Sequence, residues 1–184
     1  MLELNFNPFP LLETERILLR QLTMEDADEM FFLRSDESVI QYLNKEPAKT
    51  KTEAEEFITR INKSIDGNEA IMWTIALKEN PSFCIGNICY WNIRKEHYRA
   101  EIGYVLHPDY WRKGIMKEVI TKVIDYGFSS MHLHSIDAVI NPDNEASSAL
   151  LESLGFTKEA NFKEDFFFRG KFRDTMVYSL LNKS

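Results

Sequence analysis

Hydrophobic and polar positions change period several times along the chain, and each change marks an element. ERILLRQLT, from Glu15 to Thr23, reads as a strand. Thr23 then offers an N-cap, and Asp26 a short capping-box partner, for a helix through about Leu33. A further helix is expected near Ser38, Pro47 interrupts, and Thr52 is the expected cap of a third helix with Phe57, Ile58 and Ile61 on one face. The segments from Ala70 to Leu77, Phe83 to Ile93 and Tyr98 to Leu106 are rich in aromatic and β-branched residues. Glu-Asn-Pro-Ser and Arg-Lys-Glu-His separate them, which predicts successive antiparallel strands. From Ile115 the apolar set Ile115, Val119, Ile120, Val123, Ile124 and Phe128 has helical spacing, with Lys117, Glu118, Lys122 and Asp125 on the other side. Another strand is expected from about Leu133 to Ile140, then Asn141-Pro-Asp-Asn144 as turn and cap, and a helix to Leu154 ended by Gly155. Phe162 to Phe168 and Thr175 to Leu181, joined through Arg169-Gly170-Lys171, predict a closing hairpin. No repeat, low-complexity tract or linker divides this series, so residues 1–184 are expected to form one domain.

Composition narrows the function. With 22 Lys and Arg against 29 Asp and Glu, the net charge is −7, which disfavours a broad nucleic-acid surface and leaves Arg112, Lys113 and Lys117 as a local basic site. The first twenty residues carry acidic groups where a signal peptide needs basic ones, and no apolar run is long enough to span a membrane. A soluble, cytoplasmic protein is therefore expected. Cys84 and Cys89 share a strand-like segment at an odd spacing, so a regular strand would place them on opposite faces, favouring neither a disulfide nor a metal pair. His132 and His134 lack companion ligands at metal spacing and read as surface or packing residues. Trp73, Trp91, Phe166, Phe167 and Phe168 read first as core, with an acceptor cleft as the second role.

The stretch HPDYWRKGIMKEVI, His107 to Ile120, is the most specific signal. It leads from a strand through a turn into a helix whose free backbone N–H groups and positive dipole end suit an anion, with Gly114 allowing close approach. Neither the dinucleotide-binding glycine pattern nor the P-loop pattern occurs among the seven glycines. Together with LETERILLRQLTMEDADEM before it and NPDNEASSALLESLGFTKEA after it, this stretch resembles the GCN5-related N-acetyltransferase superfamily, in its ribosomal-protein-alanine-acetyltransferase-like (RimJ/RimL-type) branch. The resemblance covers nearly the whole chain. It implies an α/β (α+β) fold: a mixed, mostly antiparallel central sheet flanked by helices and splayed where acetyl-CoA enters, with a bulge in the strand that precedes the cofactor turn.

By the same resemblance, Trp111, Arg112, Lys113, Gly114, Ile115 and Met116 wrap the acetyl-CoA pyrophosphate, and Tyr104, Val105 and Leu106 pair with the pantetheine arm. Trp111 stands where the superfamily usually has Gln or Arg, and Met116 where it usually has Gly or Ala. Glu101 is the expected general base, against the reading of an ordinary strand glutamate. Leu151 replaces the tyrosine acid of many relatives, and Ser147 could supply hydrogen-bond help to the leaving thiolate, although Ser147 and Ser148 read equally as first-turn helix formers. Asn141 and Asn144 are turn and cap residues or contacts to pantetheine and substrate. The expected reaction is direct acetyl transfer from acetyl-CoA to an amine, without a covalent intermediate or a metal. A protein or peptide N-terminus is the leading acceptor. A small amine (aminoglycoside, polyamine or metabolite) and a non-catalytic CoA-binding module are the alternatives, in a monomer or homodimer.

Overall fold

The computed structural model describes residues 1–183. Its elements, in chain order, are β1 (Leu12–Glu13), β2 (Ile17–Gln21), α1 (Ala27–Ser35), α2 (Glu37–Ile40), α3 (Lys51–Asp66), β3 (Ile71–Leu77), β4 (Gly86–Arg94), β5 (Arg99–Leu106), α4 (Ile115–Ser129), β6 (Ser135–Ile140), α5 (Glu145–Ser153), β7 (Thr157–Phe168) and β8 (Lys171–Leu181). The strands form one eight-stranded sheet in the order β1-β2-β3-β4-β5-β6-β8-β7. Every neighbouring pair is antiparallel except β5 and β6, which are joined through α4 as a parallel pair requires.

Both sheet faces are covered. Ile115, Val119, Ile120 and Val123 of α4 and Leu151 of α5 bury against one face, in a cluster that includes Ile88, Tyr90, Ile102 and Tyr178. On the other face Met30 and Leu33 of α1 and Ala54 and Ile58 of α3 enclose Met72 and Cys84. Buried Asp26 anchors this layer: Arg20 donates to both of its oxygens at 2.8 and 2.6 Å and also reaches the Pro81 and Ser82 carbonyls of the β3–β4 turn. Thr23 N–H donates to the same carboxylate at 2.9 Å, as the capping pattern predicts.

Several expectations are corrected. Thr50, not Thr52, caps α3: its hydroxyl accepts from Glu53 N–H at 3.3 Å while the Glu53 carboxylate accepts from Lys49 N–H at 3.0 Å. Thr50-x-x-Glu53 and Thr52-x-x-Glu55 both have the capping-box spacing, and the helix starts from the earlier one, two residues before the expected cap. Thr50→Ala is expected to cost about 1 kcal/mol of stability and Thr52→Ala almost none, checked by urea unfolding. Cys84 precedes β4, so the alternation argument does not reach it. It lies in the cluster beneath α1 and α3, and Cys89 packs against that same cluster, both as free thiols. The bulge lies in β4 instead of β5: between the pairs Trp91–Glu101 and Arg94–Arg99, Asn92 and Ile93 stand opposite Ala100 alone, one extra residue in β4, and Asn92 has a φ of 47°. Trp73 is fully buried, but Trp91 is 47% exposed and Phe166 and Phe167 are 41% and 61% exposed, so these are not core. The hairpin is longer than predicted and turns at Arg169-Gly170 alone, with Lys171 already in β8; both turn residues have positive φ, as a two-residue hairpin turn requires.

Candidate active site

The active-site geometry begins where β5 and β6 part. Their ladder runs only from Arg99–Ser135 to Glu101–Asp137, after which the β5 edge from Ile102 to Leu106 has no partner strand on that side. Beyond it lies a cleft of about 560 Å³. Tyr104, Val105, Leu106, Trp111, Arg112, Gly114, Ile115, Met116, Asn144 and Ser147 all line it. Lys113 and Asn141, which the sequence analysis placed with them, do not. The Lys113 carbonyl accepts from Arg16 at 3.2 Å, and the Asn141 side chain closes its own turn by accepting from Asp143 N–H at 2.9 Å.

At the cleft mouth α4 starts without a side-chain cap at Gly114, whose φ of 75° is disfavoured for residues bearing a Cβ. Among the described residues the backbone N–H groups of Ile115, Met116 and Lys117 have no acceptor, leaving donors and a helix dipole free for an anion. The residues present therefore fit a diphosphate at the cradle and an extended, amide-bearing arm along the unpaired β5 edge. Met116 packs partly against the core, so its side chain does not simply stand in the opening. A brace that the sequence analysis missed holds this turn: Arg16, just before β2, pairs with Glu118 of α4 at 2.6 Å. No periodicity could have found a contact between residues so far apart.

Deeper in the cleft, the Tyr104 and Ser147 hydroxyls lie 2.6 Å apart. Burial pushes the Tyr104 phenol up to about 12, partly offset by the hydrogen bond to Ser147, so the pair keeps its protons through the neutral range. Ser147 N–H is capped by Asn144 Oδ1 at 3.1 Å, so Asn144 both caps α5 and lines the cleft. Leu151 is fully buried in the core.

Glu101 is not among the residues lining this cleft; it stands at the last rung before the strands diverge, on the face of β5 opposite Tyr104. It is 9% exposed and makes no ion pair among the described residues. Burial raises its pKa; the Asn92 amide, 3.5 Å away, opposes this, Asp137 adds to it, and Arg94 and Lys45 act against it. Asp137, its neighbour across the ladder, is already held by Arg94 at 2.6 Å and by both Arg99 donors. The Gln41–Thr50 loop and the β7–β8 turn meet through Glu46 and Arg169, 2.8 Å apart. Among the described residues no cluster of His, Cys, Asp and Glu could hold a metal ion, and no helix is long and apolar enough to cross a membrane.

The acetyltransferase (GNAT) domain family matches residues 16–157, and the chain belongs to that family. It is 38% identical over 173 residues to the Bacillus subtilis (strain 168) protein described as Uncharacterized N-acetyltransferase YoaA, covering 94% of this chain and 97% of that one. Among solved structures it is similar to a ribosomal-protein alanine acetyltransferase from Vibrio fischeri, at 27% identity, coverage of 95% and 98%, and a TM-score of 0.80. It is also similar to spermidine N-acetyltransferase from Vibrio cholerae in complex with CoA and spermine, at 26% identity, coverage of 91% and 96%, and a TM-score of 0.81. The chain is thus an N-acetyltransferase with the α/β fold of its family, and the named relatives differ in their acceptor amine.

Proposed function

We propose that the protein transfers acetyl from acetyl-CoA directly to the α-amine of a peptide or protein N-terminus, as a RimJ/RimL-like enzyme of the cytoplasm. The observation that carries this reading is the single unpaired carboxylate at the parting of β5 and β6. Asp137 is neutralised by Arg94 and Arg99, leaving Glu101 as the one carboxylate of that rung free to meet an ammonium. One amine fits such a site; a polyamine brings further charges that need further carboxylates. An α-amine, with a pKa near 7.7–8.0 against about 10.4 for lysine, costs roughly 3.5 kcal/mol less to deprotonate, within reach of a weak base acting through water.

In the proposed mechanism, acetyl-CoA lies along the β5 edge with its diphosphate at Trp111, Arg112, Gly114, Ile115 and Met116. Glu101 takes the amine proton, and the amine attacks from the β4–β5 face. Ser147, hydrogen-bonded to Tyr104, presents a hydroxyl to the cleft where the leaving thiolate needs a donor; with a thiol pKa near 8.5, hydrogen-bond help suffices. Acetyl-CoA supplies the acyl group, and no metal or covalent enzyme intermediate is required.

A second reading, acetylation of a polyamine, is favoured by the likeness to the spermidine enzyme. CoA release is the test, measured with free N-terminal peptides, N-blocked lysine peptides, spermidine and an aminoglycoside. Turnover confined to free N-termini is expected; turnover confined to spermidine would replace the first reading with the second. Acetyl-CoA binding without turnover on any amine would instead indicate a non-catalytic module.

A further inference from the structure

Two of the three tryptophans have their indole N–H satisfied by a backbone carbonyl: Trp73 by Pro10 at 2.8 Å and Trp111 by Leu106 at 2.7 Å. Trp91 does not: it is 47% exposed, and among the described residues its N–H has no protein acceptor, which leaves it open to solvent or to a bound molecule. This tryptophan is directly opposite Glu101 on β4, so both side chains project from the same sheet face. Because β3 begins at Ile71, opposite Tyr90, no β3 residue flanks Trp91. The indole leans diagonally over Gly103: a Cβ there would lie 3.7 Å from Trp91 Nε1 and 3.3 Å from Cys89 Sγ. Gly103 belongs to the first stretch of β5 that has lost its β6 partner, so the solvent-open donor sits at the parting of the strands. Directly after Trp91 comes the β4 bulge, whose Asn92 amide reaches Glu101; bulges beside active sites commonly re-aim a side chain.

We propose that Trp91 is a specificity-determining residue whose indole N–H donates to the first carbonyl oxygen of the acceptor while Glu101 meets its amine. This inference rests on the acetyl-transfer reading and narrows its acceptor class. A peptide N-terminus, an amino-acid amide or another α-amino carbonyl compound has an amine and a carbonyl acceptor a few ångströms apart. A polyamine has no acceptor for the donor. Tryptophan suits the task because its N–H only donates, and its broad ring limits the conformations the donor can take.

The test compares a short free-N-terminal peptide with a matched amine in which the first carbonyl is replaced by a methylene group. Trp91→Phe keeps a ring and removes the donor. It is expected to raise the peptide KM about tenfold, leaving the KM for acetyl-CoA and for the matched amine within twofold. Peptide titration without acetyl-CoA is expected to change the tryptophan fluorescence of the parent protein, and Trp91→Phe to abolish that change. A peptide KM unchanged in Trp91→Phe, or an equal loss for peptide and matched amine, overturns the role of Trp91 while acetyl transfer stands. Spermidine turnover with neither peptide turnover nor a peptide fluorescence change overturns the inference and the acceptor class together, yet leaves the acetyltransferase assignment intact. Absence of turnover on every amine, with no peptide fluorescence change, overturns both.

Discussion

Replacing Glu101 by Gln is expected to lower kcat by about 10²- to 10³-fold while leaving acetyl-CoA affinity unchanged and raising thermal stability at neutral pH. The three effects share one cause. The Glu101 carboxylate is not among the residues lining the cleft proposed for acetyl-CoA, so its replacement is expected to leave the cofactor contacts alone. Burial in the absence of an ion pair raises its pKa, which means that the folded state disfavours the ionised form that the proposed base requires. For an acid with a raised folded pKa, stability is greatest below the unfolded value and is lost as pH rises through the folded value. Gln mimics the protonated form, so the variant should match the parent in acid and exceed it at neutral pH. The parent's kcat should fall as pH drops through the raised Glu101 pKa, giving an acid limb shifted upward from the ordinary glutamate value that is absent from any residual activity of the variant. A variant that keeps full kcat would remove Glu101 from the chemistry. One that loses activity together with stability at neutral pH would make it a structural residue instead.

Much of the fold was legible because its signals are local. Helical spacing from Ile115 found α4, the aromatic and β-branched runs found β3 to β5, and Asn144 with Gly155 bracketed α5. What escaped depends on distance. Leu2 and Phe6 are buried in the main core though MLELNFNPFP has no period to betray it, and the hairpin aromatics looked like core because composition does not say which strands overhang their neighbours. The site divides in the same way. A turn followed by a helix start is contiguous in sequence, so the residues from Trp111 to Met116 could be read as a cradle. The Tyr104–Ser147 pair, the Arg16–Glu118 brace and the placing of Trp91 over Gly103 each join separate elements and follow from register. Resemblance supplied Glu101 and Ser147 as residues. The register supplied their surroundings, including the neutralisation of Asp137 that leaves Glu101 alone.

Gly114→Asp is expected to weaken acetyl-CoA binding by about 100-fold, with Gly114→Asn weakening it by no more than about tenfold. Both variants put a Cβ at a φ of 75°, a conformation that Asn and Asp tolerate better than other residues, and nothing but the Arg16 guanidinium lies within 4 Å of it. Backbone strain is therefore common to the two, and what separates them is a negative charge. In the aspartate variant that charge stands beside the open N–H groups of Ile115, Met116 and Lys117, where it gains from the helix dipole in the free protein and repels a diphosphate in the complex. The free protein should consequently unfold at nearly the parent's temperature, and the binding defect should shrink as salt is raised, because the site is open to solvent and the repulsion is screened. Calorimetric titration with acetyl-CoA at low and high salt measures both quantities. Equal weakening by Asp and Asn would assign the effect to backbone geometry. Unchanged affinity in the aspartate variant would place the diphosphate somewhere other than the start of α4.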